Sequence, residues 1–248
     1  MNIDGTGNNN LANLLFIGQP LRVYYSYQAQ GMYQFSDTAK GGYLKDYLWT
    51  KGTNAANTAY RAGKINVRDA NGDTLIDGND KMILGTDNPD WTGSITNTLS
   101  YKNFDLNFMI YFRGGGMYRA PRPGLVGRYQ SNSVNYWTPT NPSNEYQQPT
   151  RTSDVPTYWE ALTYRSGSFA RVRNISLTYH LPQSVLKKLK ANAMSVYINS
   201  LNPFLFHTQS DYDPETIQYT EQFAATTGNP GPNSYSFRSF VVGVRIGL

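Results

Sequence analysis

From Phe104 onward the chain alternates: Phe104, Leu106, Phe108, Ile110 and Phe112 occupy every second position, while Asp105, Asn107 and Arg113 share the other parity with Met109 and Tyr111. Side chains of a strand point to opposite faces in turn, so this period predicts a strand with one apolar face and one mostly polar face. Upstream, a two-residue hairpin at Lys102-Asn103 would set Tyr101 opposite Phe104, Leu99 opposite Leu106 and Ile95 opposite Ile110. Both strands then carry their apolar residues on one side, with only Asn97 and Gly93 breaking the match. The final segment repeats the pattern, with Phe240, Val242, Val244, Ile246 and Leu248 against Val241, Gly243, Arg245 and Gly247. Strands of about ten residues cross a bilayer when tilted by roughly 45°, whereas soluble sheets favour about five or six.

Six strands are predicted: Leu21 to Gln30, Thr92 to Tyr101, Phe104 to Arg113, Arg173 to Leu181, Met194 to Phe204 and Phe237 to Leu248. The connections alternate in length. Segments 31–91, 114–172 and 205–236 are long, and 102–103 and 182–193 are short. Long loops at one end and short turns at the other are the habit of outer-membrane barrels, which puts the long segments outside the cell and the short ones in the periplasm. In the fourth strand Ile175, Leu177, Tyr179 and Leu181 oppose Asn174, Ser176, Thr178 and His180, so His180 is expected to face a polar lumen. Arg171 and Arg173 share the apolar parity, and an Arg at mid-bilayer costs about 2–4 kcal/mol; they should lie above the hydrocarbon or follow a bulge. The run after Leu181-Pro182 reads as one or two helical turns opened by Pro182 and closed by lysines. The fifth strand is too weakly patterned for its faces to be assigned.

Composition agrees with a barrel. The 248 residues include 20 Tyr and 4 Trp, enough for interfacial girdles, and no apolar run approaches the length of a helical span. Cysteine is absent, which excludes a disulfide framework or a thiol site. The net charge of +5 is scattered, and its densest cluster, Lys187, Lys188 and Lys190, reads as a solvated face; no nucleic-acid partner is expected. The opening MNIDGTGNNN has no secretory leader. Alone that argues against export, and it agrees equally with the tail of a longer chain.

Between Asp69 and Asp80 the acidic residues have calcium-ligand spacing. Asp69, Asn71, Asp73, Leu75, Asp77 and Asp80 fall at positions 1, 3, 5, 7, 9 and 12 of an EF-hand-type loop, with Leu75 offering a carbonyl. Thr74 stands where glycine makes the sharp turn, Asp80 replaces the bidentate Glu, and flanking helices are missing. A structural Ca2+ site and an Asx-rich loop capping its own amides are both open readings. No catalytic constellation is found: the histidines are His180 and His207 alone, Asp211, Asp213 and Glu215 read as turn and surface groups, and Gly114-Gly115-Gly116 reads as a flexible strand exit. The chain is not expected to be an enzyme.

Several stretches, in order, resemble one family. They are Gly18-Gln19-Pro20-Leu21 with Tyr25, Gly63-Lys64-Ile65 before Asp69-Ala70-Asn71-Gly72-Asp73, and Asn88-Pro89-Asp90-Trp91. Next come Ser100-Tyr101-Lys102-Asn103-Phe104-Asp105-Leu106, and Tyr136-Trp137-Thr138-Pro139 with Asn141-Pro142-Ser143-Asn144. Arg171 to Tyr179 before Leu181-Pro182, and Tyr212-Asp213-Pro214-Glu215, complete the set. Together they resemble the C-terminal barrel of SusC/RagA-type TonB-dependent outer-membrane transporters of the Bacteroidota.

The resemblance implies an all-β fold: about six C-terminal strands of an antiparallel transmembrane barrel of 22 strands, filled elsewhere by an N-terminal plug that this chain lacks. It also implies import of oligosaccharides or peptides across the outer membrane, with a SusD-like surface lipoprotein and with TonB acting through the missing N-terminal region. The chain departs from the family in ending on Leu248 rather than an aromatic residue. Six strands leave two open edges, which hydrocarbon does not tolerate, so the piece alone should form no stable pore. The rival reading is a secreted calcium-stabilised β-sandwich that binds glycans, with exposed Trp137 and Trp159 stacking on sugar rings.

Overall fold

The computed structural model describes residues 9–37, 62–73, 76–120, 134–149, 158–208, 213–216 and 236–247. In chain order these form β1 (Val23–Ser26), β2 (Ala29–Met32), β3 (Ile65–Val67), β4 (Met82–Thr86), β5 (Trp91–Tyr101) and β6 (Phe104–Gly114). There follow β7 (Met117–Arg119), β8 (Tyr164–Ser166), β9 (Phe169–His180), α1 (Gln183–Leu189), β10 (Ala193–His207) and β11 (Ser239–Gly247). The chain divides into two compact units. One comprises Met1–Thr86, Arg119–Tyr164 and Glu221–Pro230, and the other Asp87–Tyr118, Arg165–Thr220 and Gly231–Leu248.

The second unit is built on a five-stranded sheet in the order β11-β10-β9-β6-β5, every neighbouring pair antiparallel. Register carries the alternation seen in the sequence across the whole sheet. One row reads Leu99, Leu106, Leu177, Ile198 and Val242, and the next Tyr101, Phe104, Tyr179, Val196 and Val244. On the opposite face the rows are Ser100, Asp105, Thr178, Tyr197 and Gly243, then Thr98, Asn107, Ser176, Asn199 and Val241. The pairing thereby assigns the faces of the fifth predicted strand: Val196 and Ile198 are on the apolar side, Tyr197 and Asn199 on the polar side. Among the described residues of this unit nothing covers the apolar side, where Leu99 is 53% and Val242 70% exposed. A sandwich would pack a second sheet there. Strands of 11, 11, 12 and 15 residues exceed the length usual in soluble sheets, and with the nine residues of β11 they suit a bilayer.

Two irregularities interrupt the register. Met109 pairs with Asn174 but Ile110 with Val172, so Arg173 is an extra residue on β9. A bulge of this kind shifts parity by one, and Arg171 consequently stands opposite Tyr111, on the polar side. Of the two placements expected for the arginines, the bulge is the one adopted. On β10 the register also slips between Leu201 and Phe204, at Asn202 with its positive φ of 49° and Pro203; Phe204 and Phe206 keep the parity of Val196 and Ile198 and pair with Val172 and Ala170 on the apolar side.

Five of the six predicted strands make this sheet. The first, Leu21 to Gln30, is instead two short strands of the other unit, β1 pairing with β4 and β2 with β3. Its consecutive Val23 and Tyr24 are both buried, so both faces are covered and alternation does not describe it. The predicted loop 31–91 accordingly contains β3 and β4, and β9 begins at Phe169 rather than Arg173. Leu248 lies outside the described residues. The helical turns after Leu181 form as α1, with Lys187 and Lys188 in the last turn and Lys190 closing it at φ 54°.

The first unit has its own core of Met32, Tyr33, Ile65, Val67, Ile76, Trp137 and Ala161. Trp137 is only 2% exposed and its Nε1 donates to Gln34 Oε1 at 2.7 Å, so it is a core anchor and not the exposed sugar platform of the sandwich reading. Gly63, at φ 79°, lies where any side chain would collide with the Trp137 ring. Asn144 Oδ1 accepts from the Met32 amide and from Gln34 Nε2, both at 3.0 Å, which fastens its loop to β2.

In the sheet, the Tyr197 ring lies over Gly243 on the neighbouring strand, in space a Cβ would occupy, with the Arg245 guanidinium 4.9 Å from the ring centre. An aromatic ring laid over a cross-strand glycine fixes register. Gly243→Val should therefore destabilise a folded receptor carrying this segment by about 1–3 kcal/mol through overpacking, measured as a lower temperature for loss of the compact, heat-modifiable band on electrophoresis. Gly93→Val, where no atom lies within 4 Å of the new Cβ, should leave that temperature nearly unchanged.

Candidate functional site

The polar side of the sheet carries two clusters. The larger depends on the β9 bulge, which brings Arg171 and Arg173 to the same side. Arg171 is 3% exposed; its Nη2 donates to Asp213 at 2.6 Å, its Nε lies 2.8 Å from Glu215 Oε2, and its Nη1 donates to Ser236 Oγ at 2.8 Å. Arg173 Nη2 pairs with the other oxygen of Glu215. Rings support both guanidiniums, with Arg173 5.1 Å from the centre of Tyr111 and Arg171 5.8 Å from that of Phe169.

The acceptors come from one tight turn. Asp213 Oδ1 accepts the Glu215 amide at 3.0 Å, and the Asp213 carbonyl accepts the Thr216 amide and hydroxyl at 3.1 and 3.0 Å. Such local side-chain and backbone bonds are what Asp and Thr provide in turns. The turn therefore presents two carboxylates together, and a planar fork of guanidinium donors can engage both. Sequence reasoning took Asp213 and Glu215 for turn and surface groups. They do form a turn, but they also neutralise a buried arginine, and the detectable signal was the pair of arginines at an apolar parity. Asp211 lies outside the described residues.

The smaller cluster sits at the short-turn end. Asp105 Oδ1 accepts from Ser100 Oγ at 2.6 Å, His180 Nε2 lies 2.7 Å from Asp105 Oδ2, and Asn103 Nδ2 donates to the His180 carbonyl at 2.7 Å. His180 faces the polar side as expected. The carboxylate stands between hydroxyl and imidazole, so the hydroxyl–imidazole bond that activates a serine nucleophile is not made here. Beneath α1, a cleft of about 350 Å³ is lined by His180, Gln183, Ser195 and Arg245 among others.

In the acidic loop the oxygens serve the loop's own backbone. Asp80, fully buried, accepts from the amides of Ala70 at 2.9 Å and Asp77 at 2.7 Å, which closes the neck of the loop. Asp69 accepts the Gly72 amide at 2.7 Å, Asn71 the Asp73 amide at 2.9 Å, and Asp77 the Asn79 amide at 2.7 Å. Asp77 and Asp80 form a reciprocal capping box on the short 3-10 turn between them. Leu75 lies outside the described residues. Among the described residues no group of three or more His, Asp or Glu is gathered around one point.

A long antiparallel sheet, uncovered and apolar on one face and polar and charged on the other, is the wall of an outer-membrane β-barrel. No family model matches the chain. Two proteins of Formosa agariphila are similar to it: TonB-dependent receptor P3, 27% identical over 92% of this chain, and TonB-dependent receptor P26, 24% identical over 85%. The chain spans 22% and 20% of the lengths of these relatives. In three dimensions it is similar to the RagAB peptide transporter, with a TM-score of 0.58 at 18% identity over 90% of this chain and 22% of that one. It is likewise similar to the RagAB peptide importer in its "open-open" state, with a TM-score of 0.56 at 17% identity over 96% and 24%. The chain is thus similar over most of its length to TonB-dependent receptors and shares its fold with the RagAB transporter, and its place is the outer membrane.

Removing both carboxylates would leave Arg171 buried and uncompensated, a change that costs about 3–5 kcal/mol when a buried pair is broken. In a full-length receptor, Asp213→Ala with Glu215→Ala should speed proteolytic cleavage in the connection between β10 and β11 well beyond either single change, as followed by mass spectrometry of the fragments.

Proposed function

We propose that this chain supplies barrel wall and outer-loop surface to a TonB-dependent importer of oligosaccharides or peptides that works with a SusD-like surface lipoprotein. The observation that carries the reading is the five-stranded sheet with an uncovered apolar face and a polar face bearing the Arg171 and Asp105 clusters. A barrel wall needs the first face toward lipid and the second toward an aqueous interior. The names of the relatives, receptors and a peptide importer, support the same class of activity. In this reading 31–91, 114–172 and 205–236 lie outside the cell, 102–103 and 182–193 in the periplasm, and TonB acts through a region outside this chain.

Uptake of a polymeric nutrient into cells carrying the full receptor tests it. Deleting the coding stretch for β5 to β11 should abolish growth on one class of oligosaccharide or peptide while leaving growth on the corresponding monomers intact, and a protonophore should abolish the same uptake in unaltered cells. Growth on every polymer tried after the deletion, or uptake that ignores the protonophore, would overturn the proposal.

For the acidic loop we propose a structural Ca2+ held by Asp69, Asn71, Asp73, Leu75, Asp77 and Asp80. The donor set is all oxygen on alternate residues, which fits a hard cation in kind, and buried Asp80 already ties the two ends of the loop together. Ca2+ should protect residues 69–80 of the intact receptor from protease relative to a chelator, and Asp69→Ala with Asp73→Ala should remove that protection. Equal cleavage in both conditions would leave only the self-capped loop.

A further inference from the structure

The short-turn end of the sheet has a composition unlike the rest of the wall. Tyr101 and Phe104 are 70% and 46% exposed, and Phe104 packs against Tyr179 with ring centres 4.7 Å apart. Lys102 extends its ammonium to 5.2 Å from the centre of the Tyr101 ring. Aromatic residues backed by a lysine are what a strand places where hydrocarbon meets headgroups. At the same end, α1 buries Leu186 and exposes Val185 and Leu189, one helical turn apart, at 37% and 53%. Exposed Lys187, Lys188 and Lys190 flank them.

Outside the Asp105 cluster on the polar side, the charges on these segments have one sign. Lys102, Lys187, Lys188 and Lys190 are exposed, and segments 99–104, 178–196 and 239–247 contain no Asp or Glu. The nearest carboxylate, Asp105, points to the polar side and is engaged by Ser100 and His180. Arg245 also lies on the polar side, over Tyr197. The lysines of α1 therefore have no acidic partner in these segments, while two exposed apolar side chains sit beside them on the helix. That combination matches a helix lying at a lipid surface.

We propose that α1, with Lys102 beside it, is seated on anionic phospholipid headgroups of the inner leaflet of the outer membrane. Val185 and Leu189 enter the acyl boundary and Lys187, Lys188 and Lys190 take the phosphates. The inference rests on the reading of the sheet as barrel wall with its short turns toward the periplasm. It gives the lysine cluster a lipid partner where the sequence suggested a merely solvated face.

The test uses the full-length receptor in vesicles of phosphatidylethanolamine and phosphatidylglycerol, extracted gently and weighed by native mass spectrometry. The unaltered receptor should retain phosphatidylglycerol in preference, and that preference should fall as salt is raised. A Lys187→Gln, Lys188→Gln, Lys190→Gln variant should lose it several-fold, and Leu189→Glu should weaken it, with heat-modifiable mobility unchanged in both. Equal retention in the variants, or salt-independent retention by the unaltered receptor, would overturn the proposal. So would lipopolysaccharide held through the same lysines, which would put α1 on the other leaflet. A receptor that stays with the outer membrane yet fails these tests overturns this inference alone, whereas one absent from the membrane fraction overturns the barrel reading as well.

Discussion

Hydrocarbon offers no partner to an amide or a carbonyl, so a chain that crosses it must pair its backbone within itself. The other features of the wall follow from that constraint. Each of β6, β9 and β10 is bonded on both sides, and their side chains are consequently sorted into two sets with no freedom to exchange. Among the described residues β5 and β11 each have a neighbour on one side only. Ladders open in this way are completed by further strands in a closed barrel, which agrees with a chain that spans about a fifth of its relatives.

The unit that holds β1 to β4 is ordered by different physics. Its strands are three to five residues long, its core is aromatic, and its loops are tied down by side-chain amides such as Asn144 and Gln34. Here burial and side-chain hydrogen bonds replace the long ladder. The family-like stretches around Gly63, Trp137 and Asn144 are therefore packing determinants: glycine leaves room for the indole, and the amide fastens the neighbouring strand.

Much of the wall was legible because alternation is a direct image of a strand facing two different media. The Lys102-Asn103 hairpin and the pairing of Tyr101 with Phe104 appear in the structure in the predicted register. Where burial is two-sided, as at Val23 and Tyr24, the same reasoning predicts one long strand and the structure has two short ones. The faces of β10 were hidden because Ser200 and Asn202 fall at the apolar parity while Tyr197, Leu201 and Leu205 fall at the other, and only the neighbouring strands reveal which residues belong together. The Asp213 and Glu215 pairing was hidden for a different reason. Its partners are 42 residues distant, and no local pattern announces a contact over that separation.

Arg171 touches Asp213 and Ser236, which stand on either side of residues 217–235. One side chain thus gathers the two feet of that connection, whatever the length or sequence between them. It can do so only because Arg173 is counted in β9 and in neither neighbouring strand's register. Were Arg173 paired in the ladder like its neighbours, the faces of Phe169 to Val172 would be exchanged, carrying a guanidinium out toward lipid and Val172 in toward charge. The connection between the feet can accept insertions and drift in evolution, while the strand that holds them must keep one residue out of register.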